Sequence, residues 1–163
     1  MKILIIIGVS LIVLIVLIYL IGFILPRNHS ATITSYLNVP IDSVWKRISK
    51  PEEFISWRKE IKKIDVISSD EWIETNRQND KIPIKITETI PYAKLVTVIN
   101  SSNLLFGGTW TYNLKQTKSG TEITIIENGE VYNPFFRFFS KFVFGHTATI
   151  KNYLANLETS FKN

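Results

Sequence analysis

The chain has 163 residues, 19 Lys+Arg against 14 Asp+Glu, and no cysteine. The lack of thiols excludes a disulfide framework and a cysteine nucleophile, and a net charge of +5 spread along the chain is too diffuse for a nucleic-acid-binding surface. A hydrophobic fraction of 45% with only 7 Gly and 6 Pro excludes a disordered or collagen-like chain.

The apolar residues are unevenly spread. Of the first 25 residues, all but Lys2, Gly8, Ser10 and Gly22 are hydrophobic. Ile3 to Leu25 carries no charge, and a helix of that length, rising about 1.5 Å per residue, crosses a bilayer core of about 30 Å. A secretory signal would have an apolar core of about 7–15 residues followed by a small-x-small cleavage site. This run is longer and ends in Leu25-Pro26-Arg27. It reads as an uncleaved single-pass anchor over residues 1–26, followed by a domain over residues 27–163. Pro26 stops the helix and Arg27 marks the interface. Lys2 and the α-amino group lie on one side, Arg27 and His29 on the other. The positive-inside bias then slightly favours the domain on the outer side.

The domain opens with an alternating, β-rich stretch, Ala31–Val39, that predicts a strand. Pro40 starts a short helix, Ile41–Ser49, with Val44, Trp45 and Ile48 on one face. A second short helix is expected from Pro51 to Trp57, with Ser49 as a candidate cap and Glu52 and Glu53 at its positive end. Five strand signals follow: Ile61–Ser68, Glu71–Arg77, Lys81–Ile90, Ala93–Asn100 and Gly108–Thr117. A turn at Ser119-Gly120 leads to a last strand, Thr121–Val131. The separators are short, so consecutive strands should pair antiparallel. Asn133-Pro134 is a helix start. The stripe Phe135, Phe139, Phe142, His146, Ile150, Tyr153 and Leu157 predicts one helix of about 27 residues, bent where Gly145 sits. The expected class is α+β: a curved seven-stranded antiparallel sheet around a long C-terminal helix, preceded by one transmembrane helix.

Three strings carry a family likeness. They are Val39-Pro-Ile-Asp-Ser-Val-Trp-Lys-Arg-Ile48, Pro51-Glu-Glu-Phe-Ile-Ser-Trp57 and Glu127-Asn-Gly-Glu-Val-Tyr-Asn-Pro-Phe-Phe-Arg137. In this order they resemble the START-like (SRPBCC) superfamily, the polyketide cyclase/dehydrase and lipid-transport proteins with the birch-pollen-allergen-like helix-grip fold. The likeness covers about residues 31–162. It implies a hydrophobic cavity between sheet and long helix, and no particular activity, because members bind, transport or transform many apolar ligands.

Candidate cavity-lining residues are Trp45, Trp57, Trp110, Phe135, Phe139 and Phe142, each with core packing as the rival reading. Glu88 shares a strand face with Ile82, Ile84, Ile86 and Ile90, and Glu127 shares one with Ile123 and Ile125. Either carboxyl, facing inward, would hold its proton unusually tightly and make a polar contact. A bulge or a strand end would turn it to solvent. His146, on the helix stripe, is the third polar candidate, and Glu127 and His146 are the weak candidates for acid–base roles. One histidine within the expected elements and no cysteine give a metal site poor support. No cofactor motif is present, and Gly107-Gly108 reads as a bulge or turn.

The segment Phe135–Phe144 is apolar all round with a basic stripe, which suits a lipid interface. Arg27, Phe136, Arg137, Phe138, Lys141 and Phe144 are the expected membrane contacts. The rival is a dry core closed by loops around Tyr92 or Leu104–Phe106. The first functional expectation is binding of a hydrophobic small molecule or lipid at a membrane. A cyclase-, dehydratase- or hydrolase-like enzyme and a tethered interaction module with a filled core are the alternatives. Two polar groups converging in an open cavity would point to the enzyme, isolated ones to binding, and a filled interior to the module.

Overall fold

The computed structural model describes residues 1–162. Helix α1 (Lys2–Ile24) carries no charge after Lys2 and is long and apolar enough to cross a membrane. Its residues stand exposed except Gly22, which is buried, and Ile18, which is half-buried. Strand β1 (Asn28–Leu37) follows, then α2 (Ile41–Ser49) and a 3₁₀ turn (Pro51–Ser56). Six strands come next: β2 (Ile61–Val66), β3 (Glu71–Asn76), β4 (Lys81–Ile90), β5 (Lys94–Ile99), β6 (Phe106–Thr117) and β7 (Gly120–Val131). The chain closes with α3 (Pro134–Phe139), a π-helical turn (Ser140–Phe144) and α4 (Ala148–Thr159).

All seven strands form one antiparallel sheet in the order β1-β7-β6-β5-β4-β3-β2. Consecutive strands pair through short turns, and β1 returns to the far edge to pair with β7 over ten positions, Asn28↔Glu130 to Leu37↔Thr121. The inward alternation of β7 buries Ile123 and Ile125 completely. Against them pack Ile150, Tyr153, Leu154 and Leu157 of α4 and Val44 and Ile48 of α2. Each such aliphatic side chain stabilises the fold by about 1.5–3 kcal/mol on burial. Phe54, Trp57, Trp72 and Tyr153 close the core with edge-on ring contacts of 5.1–6.0 Å between centroids.

Four sequence expectations change. The C-terminal helix is two helices, because Gly145 takes φ 73° and the chain before it winds as a π turn. Left-handed backbone is cheap for glycine and ends a helix. The extra residue of the π turn also rotates the stripe, so Phe142 does not continue into the line of Ile150 and Tyr153. The second short helix is a 3₁₀ turn, and Ser49 does not cap it: its hydroxyl donates to the Trp45 carbonyl at 2.7 Å. Gly107 and Gly108 are neither bulge nor turn but lie in β6, in register with Glu130 and Gly129. The last hairpin turns at Lys118-Ser119, and Gly120 already belongs to β7.

Candidate functional site

A cavity of about 540 Å³ lies between the sheet and the start of α4. Its walls come from one end of the sheet: the start of β1, the end of β7, the start of β6, the end of β5 and the start of β4. The register places these strand ends together, beside the point where α1 enters the domain. Ile82, Ile84, Trp72, Phe54 and Tyr112 supply apolar wall, and Phe144 and Phe106 sit at the rim, 69% and 37% exposed.

Polar groups gather at two places on this wall. The first is built on Glu127, which continues the inward face of Ile123 and Ile125 and pairs with Ala31 of β1 and Trp110 of β6. Two residues on, the inward position is Gly129. Its partner is His29, whose imidazole fills the space that a Gly129 side chain would take. His29 Nε2 lies 3.6 Å from Glu127 Oε1. The His146 ring stacks on that of His29, centroids 4.0 Å apart, and Ser140 Oγ reaches His146 Nδ1 at 3.3 Å. Glu127 Oε2 is buried without a hydrogen-bond partner.

Burial pushes the Glu127 carboxyl up to about 7, against the opposing pull of the Trp110 indole N–H. Burial, and then the neighbouring His146, lower His29. Both shifts favour neutral partners, so the 3.6 Å contact is not a buried ion pair of the ordinary kind. Among the described residues, no three His, Cys, Asp or Glu side chains are grouped to hold a metal ion.

The second place is a closed network. Arg58 donates to Glu74 at 2.6 Å and to Glu60 at 2.8 Å, and its guanidinium lies between the rings of Phe54 and Tyr153. Trp72 Nε1 donates to Glu74 at 3.1 Å, and Asn156 donates to Glu60 at 3.0 Å. Burial works against the Arg58 charge, yet Glu74 and Glu60 hold it protonated. Burial likewise raises the Tyr112 and Tyr153 phenols, so both stay neutral. Each of these side chains is already engaged with another member, and the network stiffens the wall.

No protein-family model matches the sequence, and no curated protein matches it either. Solved structures do match in fold. A START superfamily protein from Mycobacterium smegmatis superposes with a TM-score of 0.67 at 12% identity, covering 81% of this chain and 96% of that one. Protein MLL2253 from Mesorhizobium loti gives 0.63 at 11% identity, covering 82% and 97%. The di-domain ARO/CYC StfQ of the steffimycin biosynthetic pathway gives 0.61 at 10% identity, covering 82% of this chain and 50% of that one. This is the START-like helix-grip fold.

Within this fold, the cavity brings together Trp110, Glu127 and His146 from the sequence-derived candidates. The others lie elsewhere. Trp57 is buried in the core against Tyr153, and Trp45 packs on Tyr92 at 5.9 Å. A register shift between Ile86 and Glu88 turns Glu88 to solvent, where it pairs with Lys94 at 2.7 Å. Phe135 and Phe139 stack on each other at 4.8 Å outside the cavity, and Phe142 is 57% exposed.

The residues expected at a membrane divide as well. Arg27, Phe136, Lys141 and Phe144 are exposed, and Phe138 is half-buried against Phe139 and Phe142. Arg137 is buried. It donates to the carbonyls of Val131 and Tyr132 at 2.8 and 2.7 Å, and to those of Leu25 and Gly22 at 3.3 and 3.4 Å. Two residues escaped sequence reasoning. The expected strand opens at Ala31 and leaves His29 outside it, although His29, Ala31 and Ile33 already alternate. Ser140 carried no sequence signal at all.

Proposed function

We propose that this protein binds a hydrophobic small molecule or lipid at a membrane surface, through the cavity between the sheet and α4. The observation that carries the reading is that cavity, about 540 Å³ with an apolar wall, set at the end of the sheet where α1 enters. Its volume is that of a small-molecule site. An open interior speaks against a tethered module with a filled core. The family resemblance in the sequence, and a fold shared with a START superfamily protein and an ARO/CYC protein, point the same way.

The membrane part of the proposal rests on α1 and on what touches it. A cleaved signal would leave the domain, yet the last turn of α1 is built into it. Gly22 is buried so closely under Pro134 that a Cβ would collide with the Pro134 carbonyl, and Arg137 binds the final carbonyls of the helix. Phe136 of α3 and Phe142, Val143 and Phe144 of the π turn are exposed beside this junction. Apolar side chains in that number suit a lipid interface. Under this reading residues 1–26 are the anchor and 27–163 the binding domain.

Native mass spectrometry of the full chain, extracted from membranes, tests the proposal. The expected result is a co-purified apolar molecule that disappears in Ile84→Trp, which fills the cavity. Wild type that stays empty, and that takes up nothing from a lipid extract, overturns it.

One observation favours a second reading. Glu127, His29 and His146 converge at one end of the cavity, and a carboxyl poised near neutrality is suited to general acid–base work. A bound molecule whose mass changes with time in wild type, and not in Glu127→Gln, would make the protein an enzyme. An unchanged molecule leaves it a binder.

A further inference from the structure

The charges around the cavity narrow the class of molecule it accepts. We propose that it takes an amphipathic molecule with a neutral or cationic hydrogen-bond-donating head, a hydroxyl or an amine, seated on Glu127 with its apolar body toward Ile82, Ile84 and Trp72. This rests on the ligand-binding reading above and adds the ligand's head group to it.

The Trp110 indole N–H pulls on the Glu127 carboxyl but leaves one of its acceptors unused. Its Oε2 is buried without a partner, and its side chain is only 16% exposed. A buried polar atom left unpaired is destabilising, and a donor on the ligand would satisfy it. Among the described residues, the other buried side-chain atoms without partners are Trp57 Nε1 and Thr75 Oγ1, and neither residue lines the cavity. At the far end Glu74 Oε1 already accepts from both Arg58 and Trp72.

An anionic head would meet the wrong charges. Arg58 is the one Lys or Arg among the residues lining the cavity, and it is held by Glu60 and Glu74. The same wall carries Glu60, Glu74, Glu127 and Glu130. A carboxylate or phosphate would therefore lose its hydration without gaining a free cation. His29 does not supply one, since burial and the neighbouring His146 hold it toward its neutral form. An alcohol donates to the Glu127 carboxyl in either protonation state, and an ammonium neutralises its charged form.

Three ligands with the same ten-carbon chain separate these cases: decan-1-ol, decylamine and decanoate. They are titrated into the full-length protein in phosphatidylcholine nanodiscs at pH 7.5. Binding is read as concentration-dependent slowing of amide hydrogen exchange in peptides from residues 106–117 and 120–131. At matched free concentration, the alcohol and the amine should bind at least about tenfold tighter than decanoate. Glu127→Gln should weaken the amine by about tenfold, spare the alcohol and strengthen decanoate. Equal binding of all three, or decanoate binding best, overturns the head-group assignment and leaves the cavity as an apolar site. Protection by none of them overturns the ligand-binding reading itself. If Glu127→Gln does not fold, the wild-type ranking decides alone.

Discussion

The His29 imidazole lies flat on that of His146, ring centroids 4.0 Å apart and planes 19° from parallel. The pair joins the first residues of β1 to the junction between the π turn and α4, and so ties the sheet edge beside α1 to the cavity wall. It depends on a missing side chain: a Cβ on Gly129 would run into the His29 ring. Gly129→Ala should displace that ring and lower stability by about 1–3 kcal/mol, as overpacking does. In a His29→Ala background the same change should cost far less, because the colliding ring is gone. Thermal unfolding of the two single variants and the double variant measures the coupling. Equal costs in both backgrounds would show that His29 does not occupy that space.

Glu127 and His29 predict opposite responses to pH. Burial raises the Glu127 carboxyl from its ordinary 4.5 to about 7. Between those values the folded chain keeps a proton that the unfolded chain has released. That stabilisation is full below about 4.5 and is lost as pH rises through about 7. His29 is lowered from 6.5, so its contribution is present above 6.5 and is lost as pH falls through its lowered value. Glu127→Gln should remove only the first effect. Its stability relative to wild type should therefore improve as pH rises from about 5 to about 8. A constant difference across that range would mean that Glu127 titrates as an exposed acid does.

Alternation and turn chemistry made the sheet legible before the structure was known. Lys81–Ile90 and Ile41–Ser49 have the expected bounds, and most other strands differ by one or two residues. Trp110, Glu127 and His146 could be named because each continues an apolar stripe within its own element. The rest depends on contacts that no local pattern carries. His29 matters because Gly129, a hundred residues later in the chain, faces it across a strand pair. Glu88 fits the inward face of β4 on paper, and a single register shift after Ile86 removes it. Arg137 reads as a solvated charge on an apolar helix, yet its guanidinium finds four carbonyls contributed by two separate segments.

Those four carbonyls belong to Val131, Tyr132, Leu25 and Gly22. The last two are among the terminal acceptors of α1, which have no partner inside the helix. Arg137→Lys should fail to replace them, because a single ammonium cannot reproduce the planar fork. Hydrogen bonds to a charged group are worth about 1.5–3 kcal/mol. Both Arg137→Lys and Arg137→Ala should therefore speed amide exchange at Val131 and Arg137 and expose the Pro26–Asn28 link to protease. Full activity of the lysine variant in this assay, meaning wild-type protection, would assign Arg137 a purely electrostatic role. In the same preparation the intact mass should remain 18.8 kDa, with residues 1–25 retained.

A chain without cysteine allows the membrane contact to be located directly. Single spin labels are introduced through Phe142→Cys, Phe144→Cys and Val66→Cys in the full chain in nanodiscs. Phe142 and Phe144 are exposed beside the α1 junction, whereas Val66 is exposed on β2, the edge strand farthest from β1. Oxygen concentrates in the bilayer and a nickel chelate stays in water, so their relative relaxation of each label reports its depth. The labels at 142 and 144 should favour oxygen, and the label at 66 should favour nickel. Apolar side chains of this size gain about 1.5–3 kcal/mol each on leaving water, enough for two or three of them to hold the segment at the lipid boundary. Nickel preference at all three positions would place the Phe-rich segment in water and separate the cavity rim from the bilayer.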